Sequence, residues 1–166
     1  MTSLKSQSMR ALPIVVLLAL AAAPCAAQSG DGRRLTPAEI ADLARGGAGV
    51  GTSGVAGIQT AILSGDPTKP GLYTIRLSAP PRTRIEAHMH RDDRAATVVS
   101  GTWYFGYGSQ FDSAALKTLP AGSFYTESPN QPHFAETRDE AIVVHITGYG
   151  PSDTTYVKSA TSPVAK

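Results

Sequence analysis

Two histidines, His88 and His90, are the residues of this sequence whose type and spacing most directly suggest chemistry. They are separated by one residue in a segment that we predict to be a β-strand. Side chains two positions apart on a strand point to the same face, with roughly 6.5–7 Å between their Cα atoms, so both imidazoles could bind one metal ion. The same spacing also occurs on exposed strands that bind nothing, so the surrounding sequence has to decide between the two interpretations.

The segment from Pro81 to His133 resembles the two-part motif of the cupin superfamily. The first part of that motif contains a His-x-His pair and ends at a glycine, here Gly101. The second part begins at a glycine, here Gly122, and reaches its histidine eleven residues later, at His133. The resemblance implies that the His-x-His pair and His133 together bind a divalent metal ion.

Five positions depart from the family motif, and one of them is the motif's proline, which comes one place late at Pro129. Asn130 stands where the family has a turn glycine, and asparagine tolerates the left-handed backbone conformation better than most residues. Arg82 stands at the motif's first glycine and Thr137 at its final asparagine, and neither position carries a metal ligand. Arg94 occupies the place of the family's ligand glutamate, seven residues before Gly101. The carboxylate ligand is therefore missing at its usual position.

Three other residues are candidates for a fourth ligand. Glu86 shares the strand parity of the His-x-His pair, Glu127 precedes the turn that leads to His133, and His145 lies in the apolar last strand. Each has a simpler interpretation, because strand glutamates usually face solvent and a histidine in an apolar strand is usually a hydrogen-bonded core residue. Water or substrate can also complete a three-histidine site. Imidazole ligands do not identify the metal, which could be Fe, Mn, Ni, Cu or Zn.

Arg94 itself has two interpretations. If it points outward, it pairs with a carboxylate such as Asp92 and plays no part in the site. If it points inward, it adds positive charge beside the metal, and its guanidinium suits a carboxylate ligand. The positive charge of an inward Arg94 would favour an anionic ligand. Trp103 and Tyr125 are aromatic residues that could line the pocket of such a small molecule, although most aromatic residues of a barrel of this size belong to its core.

The elements that position these residues are predicted to be almost entirely β-strands. Short β-type segments alternate with turn residues, with Ser100-Gly101 predicted as a hairpin turn and 109–118 as the location of a helical turn. We expect about eight strands, at 55–63, 72–78, 84–90, 96–100, 102–105, 123–127, 133–137 and 141–147.

A short helix is expected before the first strand. Thr36 and Glu39 have the spacing of a capping box, and Gly46-Gly47 is predicted to end the helix. The fold class is therefore all-β: an antiparallel double-sheet jelly roll, or cupin barrel, with a short N-terminal helix.

The N-terminus has the pattern of a signal peptide. Lys5 and Arg10 precede an apolar run at 11–20, and small residues at Cys25 and Ala27 fit a cleavage site after Ala27. The residue before Cys25 is a proline, which argues against the alternative in which this cysteine is lipidated. We divide the chain into a signal peptide at 1–27, a flexible lead-in with a short helix at 28–54, a cupin barrel at 55–157 and a C-terminal tail at 158–166.

Cleavage would change the charge and the redox chemistry of the chain. The loss of Lys5 and Arg10 takes the basic residues from 15 to 13, which equals the number of acidic residues. A net charge of zero gives no reason to expect nucleic acid or a membrane surface as partner. The one cysteine leaves with the signal peptide, so a metal must be held by histidines and carboxylates. We expect a periplasmic or secreted protein, with a homodimer as one possible assembly.

The cupin fold serves dioxygenases, isomerases, decarboxylases, storage proteins and sensory modules, so fold alone does not choose a function. The resemblance implies a metal-dependent enzyme of dioxygenase or isomerase type that acts on a small organic substrate. A non-catalytic module that binds a small molecule or a metal, and a metal-free barrel, are the alternatives.

Overall fold

The computed structural model describes residues 32–157. The predicted signal peptide at 1–27 and the predicted tail at 158–166 lie outside these residues and remain predictions. Among residues 32–157, no helix combines the length and the apolar character that crossing a membrane requires.

Helix α1 spans Pro37–Ala41, and its first turn has the predicted capping box. Thr36 is the N-cap: its hydroxyl accepts a hydrogen bond from the backbone N–H of Glu39 at 3.4 Å, and its own backbone N–H donates to Glu39 Oε2 at 2.6 Å. The helix ends before the predicted stop at Gly46-Gly47. Asp42 is its C-cap, and Gly46 instead forms an isolated β-bridge with Thr60.

The rest of the described chain forms ten strands and one 3-10 turn at Ser113–Ala115, which lies within the predicted helical turn. The strands are β1 Gln59–Ser64, β2 Gly71–Ala79, β3 Arg84–Met89, β4 Arg94–Ser100, β5 Trp103–Tyr107, β6 Lys117–Leu119, β7 Phe124–Glu127, β8 His133–Glu136, β9 Ile142–Gly150 and β10 Thr155–Tyr156. The sequence did not predict β6 and β10, which are only three and two residues long.

The strands form two five-stranded sheets in which the neighbouring strands are antiparallel. Sheet A has the order β1-β2-β9-β4-β7, and sheet B has the order β10-β3-β8-β5-β6. The predicted all-β double-sheet jelly roll is confirmed.

The predicted hairpin at Ser100-Gly101 is wrong. Strand β4 pairs with β9 and β7 in sheet A, whereas β5 pairs with β6 and β8 in sheet B, so the turn carries the chain from one sheet to the other. Gly101 has φ +74°, and a Cβ there would lie 2.4 Å from the carbonyl oxygen of Ala141. The turn therefore requires glycine, but for close packing against the start of β9 rather than for a hairpin.

The core lies between the inner faces of the two sheets. Alternate residues of β2 and β9 point inward, as expected for strands with one buried face. The buried apolar side chains of these two strands are Tyr73, Ile75, Leu77, Ala79, Ile142, Val144 and Ile146. Burying a side chain of this size stabilises a fold by about 1.5–3 kcal/mol. Because the sequence contains one cysteine, this packing holds the barrel without a disulfide bond within the chain.

The chain just before β1 is part of the barrel. Gly51, Thr52 and Ser53 are buried, although the sequence placed them in a flexible lead-in. The hydroxyl of Tyr156 donates to the carbonyl oxygen of Ser53 at 2.6 Å, and the hydroxyl of Thr154 donates to that of Thr52. The short unpredicted strand β10 and its neighbours thus hold this turn over one end of the space between the sheets.

Candidate metal centre

The structure brings His88, His90 and His133 together in the interior. Strand pairing explains the first contact, because His88 and His133 are cross-strand partners on β3 and β8. His90 follows the end of β3, and its backbone carbonyl accepts a hydrogen bond from the N–H of Asn130 at 2.7 Å. One nitrogen from each ring lies within 4.8 Å of the corresponding nitrogens of the other two, and all three residues are buried. They could hold one metal ion.

Glu86 does not join this group, which corrects the expectation that it shares the parity of the histidines. The pairing of β3 with β8 shifts register between Ile85 and His88, as in a β-bulge. The irregularity breaks the simple alternation, so Ala87 and His88 are both buried while Glu86 is exposed. Its carboxylate pairs with Arg84 at 2.7 Å on the outer surface.

The hydrogen bonds of the three rings fix which nitrogen faces the cavity. Nδ1 of His88 lies 2.9 Å from the carbonyl oxygen of Glu86, and Nδ1 of His133 lies 3.0 Å from that of Gln131. Nδ1 of His90 likewise contacts the carbonyl oxygen of Asp153. A carbonyl oxygen only accepts, so each Nδ1 carries the proton and each Nε2 has a free lone pair, as in metal-binding histidines.

The three imidazoles are neutral at neutral pH. Burial, followed by the proximity of His133, lowers the pKa of His88 to about 4. Burial and the positive charge of Arg94 lower the pKa of His90 to about 3. Burial also lowers the pKa of His133. Neutral imidazole is the form that coordinates metals, so no proton has to be displaced at pH 7.

Glu127 contributes a carboxylate to the same place from strand β7. Its Oε2 lies 3.8 Å from Nε2 of His90 and 3.7 Å from Nε2 of His133. Two ligands that each lie about 2.1 Å from one ion are roughly 3.0–3.5 Å apart, so a small movement would bring this oxygen into coordination range. Of the three candidate fourth ligands, Glu127 is the one that the structure places at the histidines.

Arg94 points inward and is paired with Glu127. Its Nε donates to Glu127 Oε2 at 2.7 Å, its second terminal nitrogen also contacts that oxygen, and its first terminal nitrogen donates to the carbonyl oxygen of Gly51 at 2.8 Å. Both sides of the guanidinium are therefore occupied by protein atoms. Of the two predicted directions, Arg94 therefore has the inward one, with its guanidinium bound to Glu127 and to the carbonyl oxygen of Gly51.

The pair also changes the charge of the site. Burial alone would raise the pKa of Glu127, but the charge of Arg94, the proximity of His133 and His90, and the hydrogen bonds from Arg94 together lower the pKa to about 2. Glu127 is thus ionised at all ordinary pH values and cancels the charge of Arg94. The excess positive charge expected from an unpaired arginine is absent.

His145 lies away from the other three histidines. On β9 it alternates with the buried Val144 and Ile146, so its side chain is on the outer face of sheet A, opposite Arg76 and Thr97. Burial, followed by the charge of Arg76, lowers its pKa. The structure supports neither a ligand role nor a position in the central core for this residue.

Trp103 and Tyr125 do line the cavity beside the histidines. This cavity has a volume of about 30 Å³ and also contacts Ser53, Phe105, Glu127 and Arg94. Phe105 lies between Tyr125 and His133, with ring centroids 4.3 Å and 5.5 Å away respectively, and so supports the ring of His133. Burial and the charge of Glu127 raise the pKa of Tyr125 well above its usual range, so its hydroxyl keeps its proton.

A second buried polar network lies nearby and was not predicted. The carboxylate of Asp92 accepts hydrogen bonds from Tyr73 at 2.6 Å and from Ser152 at 2.8 Å. No local pattern could have shown this, because Ser152 reaches Asp92 only when the chain returns from β9. The burial of Ser53 has the same long-range origin.

The backbone accommodates the departures from the cupin motif. Arg82 and Asn130, which replace two motif glycines, both have φ +57°. Thr137, at the motif's final asparagine, donates to the carbonyl oxygen of Pro80 at 2.6 Å and accepts from the backbone N–H of Thr83 at 2.8 Å. The turns of the motif are therefore retained even where its residues are not.

Solved structures share this architecture. The polyketide cyclase RemF from Streptomyces resistomycificus is similar with a TM-score of 0.60, at 12% identity over 80% of this chain and 89% of that chain. A structure from a study of the DMSP lyases RdDddP and RnDddQII is similar with a TM-score of 0.52, at 19% identity over 61% of this chain. An RmlC-like cupin from Shewanella frigidimarina NCIMB 400 has a TM-score of 0.46, at 18% identity over 56% of this chain and 76% of that chain.

This chain has the cupin fold. The match covers 53% of the DMSP lyase chain, so this protein spans about half of that lyase's length. A comparison with protein-family models finds no match, and neither does a comparison with curated proteins. At identities of 19% and 12%, the likeness to the two structures with TM-scores of 0.52 and 0.60 shows the fold alone, and the activity has to be argued from the site itself.

Proposed function

We propose that this chain is an exported single-domain cupin that binds a divalent metal ion through His88, His90 and His133 and acts on a small organic molecule that carries oxygen. One observation supports the metal most strongly: three buried imidazoles, whose Nδ1 atoms contact carbonyl oxygens, each bring one nitrogen within 4.8 Å of the others. Among the described residues, Nε2 of His90 and Nε2 of His133 have no hydrogen-bond partner. Leaving such atoms unpaired costs about 1–3 kcal/mol each, which a metal ion would offset.

Glu127 is the proposed fourth ligand. A set of three imidazoles and one carboxylate suits Fe, Mn, Ni, Cu and Zn, and the donor set does not distinguish these ions. The hydrogen bonds from Arg94 hold the carboxylate in place, as partners of metal ligands commonly do. They also leave Glu127 a weak base, since its pKa of about 2 is far below neutral pH.

When bound, the ion would supply Lewis-acid chemistry by polarising an oxygen of the substrate. The residues around it have separate tasks. The carbonyl oxygens that contact each Nδ1 orient the imidazoles, and Phe105 supports the ring of His133. The buried turn from Gly51 to Ser53 limits access of water. The hydroxyl of Tyr125 keeps its proton and can donate a hydrogen bond to a substrate oxygen in the cavity.

The test is metal analysis of protein purified without a histidine tag. We expect about one divalent ion per chain, and we expect His90→Gln and His133→Gln each to lose most of it. His145→Gln is the matched control, because this histidine is on the outer face of sheet A. Full occupancy in His133→Gln, or equal loss in the control, would rule out the site as described.

A non-catalytic binding module is the second candidate, and the state of Glu127 favours it. Among the residues that line the cavity, the one carboxylate is paired with Arg94, and the histidines are the proposed ligands. No free general base is therefore present in the cavity. Assays of the metal-loaded protein with small phenolic and keto-acid compounds, with and without oxygen, separate the two candidates. Turnover that is lost in His133→Gln supports the enzyme, whereas binding without turnover supports the module.

A further inference from the structure

Two hydrogen-bond groups in the cavity have no regular protein partner. Trp103 Nε1 and Ser53 Oγ are both buried, and within residues 32–157 neither forms a hydrogen bond of normal geometry. The hydroxyl of Tyr125 is the acceptor that the indole N–H approaches, since Trp103 lowers the pKa of that hydroxyl, so a rotation of Tyr125 would leave the indole N–H free for a ligand. Both residues line the cavity that also contains the imidazole of His88 and that of His133. An indole N–H can only donate, and a serine hydroxyl can donate as well. Buried donors normally have a hydrogen-bond acceptor, so the presence of these two donors in one cavity points to an oxygen acceptor that belongs to a ligand.

The cavity itself is too small for a whole organic molecule. A single water molecule needs about 10–15 Å³ of such cavity volume. The cavity volume of about 30 Å³ therefore holds roughly two water-sized groups. A ligand that reaches the two donors can therefore place only a small head group, such as one carboxylate, in this space. The rest of the molecule must lie elsewhere.

A larger cleft adjoins the cavity. It has a volume of about 350 Å³ and lies between strands β5 and β6 of sheet B and strand β7 of sheet A. Its lining is mostly apolar and includes Tyr107, Ala115, Leu119 and Phe124. Phe105 and Tyr125 line both the cleft and the cavity, so these two rings, whose centroids are 4.3 Å apart and whose planes are tilted by 35°, form the partition between them.

One of the two rings has to move before the cavity and the cleft can join. Phe105 is held on both sides, by the ring of His133 and by that of Tyr125. Tyr125 lies on β7, which is an edge strand that pairs only with β4 in sheet A. A side-chain rotation of Tyr125 would join the two spaces without moving a histidine.

From this arrangement we infer that the ligand is an amphipathic molecule with an apolar body and an oxygen-bearing head, of which an aromatic carboxylate is the simplest example. Its body lies in the cleft against Phe105 and Phe124, and its head enters the cavity past Tyr125. There the head accepts hydrogen bonds from Trp103 Nε1 and Ser53 Oγ while facing the proposed metal. The inference rests on the proposed metal site and adds the class of ligand and its path.

The experiment measures the dissociation constants of three probes by NMR titration of the zinc-loaded protein. Benzoate has both head and body, acetate has only the head, and toluene has only the body. Ser53→Ala and Trp103→Phe should each weaken benzoate about tenfold, as expected for a lost hydrogen bond to a charged group, and change toluene less than twofold. A purely structural role of Trp103 would instead weaken benzoate and toluene equally, and this result would overturn the assignment of the donors.

A second pair of variants tests the cleft. Ala115→Trp fills it from an exposed position and should weaken benzoate and toluene at least tenfold while leaving acetate unchanged. Ala114→Trp is the matched control, because the neighbouring Ala114 is exposed on the same 3-10 turn and does not line the cleft. Equal benzoate affinity in the two variants would exclude the cleft as the binding site. The metal content of the same samples is measured separately, so loss of the metal site and failure of the ligand site give different results.

Discussion

Arg94 and Glu127 are cross-strand partners on β4 and β7, and their side chains form an ion pair that is only 2% and 5% exposed. In the cupin motif the carboxylate ligand would stand at position 94. Here the carboxylate comes from the directly paired position on the neighbouring strand β7, and the guanidinium takes the motif position. The pair thus keeps a carboxylate beside the histidines although the motif glutamate is absent.

Removing one half of this pair should destabilise the fold strongly. Arg94→Met leaves Glu127 as an uncompensated buried charge, for which a loss of about 3–5 kcal/mol in the free energy of unfolding is typical. The double variant Arg94→Met/Glu127→Leu removes both charges and should be more stable than the single variant. Urea denaturation of the metal-free protein at pH 7 gives both values.

Arg84→Met is the control for that measurement. Arg84 also pairs with a glutamate, but both side chains are 57% exposed, and such surface pairs contribute about 0–1 kcal/mol. If Arg94→Met lowers the free energy of unfolding no more than Arg84→Met does, Arg94 does not neutralise a buried charge on Glu127.

The metal-free protein should lose stability as the pH falls below about 6.5. His88 and His90 have folded pKa values of about 4 and about 3, against 6.5 for an unperturbed histidine. In the pH range between these values the unfolded chain binds protons that the folded chain does not, so acid favours unfolding. Each histidine contributes a slope of up to about 1.4 kcal/mol per pH unit. Glu127, with its pKa lowered to about 2, adds a further loss below about pH 4.5.

Urea denaturation at pH 7, 6 and 5 in the presence of a chelator measures this slope. In His90→Gln one titrating group is removed, and the slope between pH 6 and 5 should decrease by up to about 1.4 kcal/mol per pH unit. A wild-type stability that is constant from pH 7 to 5 would contradict the assignment of three neutral buried imidazoles.

The sequence predicted the fold and the three histidines because both depend on local patterns. Strand alternation, turn residues and the capping box of Thr36 act over a few residues, and His88 and His133 belong to a motif of fixed spacing. Glu86 was misplaced because a β-bulge depends on how β3 pairs with β8, which local parity does not reveal. The pairing of β4 and β5 with different sheets escaped prediction for the same reason.

The electrostatics of the site were harder to predict than its ligands. The direction of Arg94 depends on Glu127, which is 33 residues away, and on a carbonyl oxygen in a turn 43 residues earlier. The presence of two donors without a regular hydrogen-bond partner in one cavity depends on the packing that brings Ser53 and Trp103 to that cavity. Such relationships arise from tertiary packing, so a single sequence contains no local signal for them.

The signal-peptide prediction concerns residues outside 32–157 and needs its own test. Expression of the full chain in a Gram-negative host should yield a soluble protein in the periplasmic fraction, and N-terminal sequencing should begin at Gln28. The physical reason is the basic start at Lys5 and Arg10 followed by an apolar run too short to span a bilayer with ease. An intact Met1 in the cytosolic fraction would refute export, and a lipid-modified Cys25 would favour the lipoprotein alternative. Lys5→Glu/Arg10→Glu is the variant expected to slow processing.

Arg94→Glu should change the metal-free and the metal-loaded protein in opposite directions. Without metal, the variant places two carboxylates opposite each other on β4 and β7 and removes the guanidinium that neutralised Glu127. At a separation of about 5 Å and an effective dielectric constant of about 20, two unit charges interact by roughly 3 kcal/mol. The melting temperature of the metal-free variant should therefore decrease, and the pKa of Glu127 should rise.

With a divalent ion bound, the same substitution restores the carboxylate of the cupin motif and changes the charge beside the ion by two units. Metal affinity should increase by at least tenfold, and the metal-induced rise in melting temperature should be larger than in the wild type, because an ion that binds only the folded state stabilises it. Arg94→Gln removes the positive charge without adding a carboxylate, so its metal affinity should lie between the two. Melting curves with and without zinc, together with competition against a chelator of known affinity, measure all three proteins. If Arg94→Glu binds zinc no more tightly than Arg94→Gln, position 94 does not face the ion, and Glu127 alone supplies the carboxylate of the site.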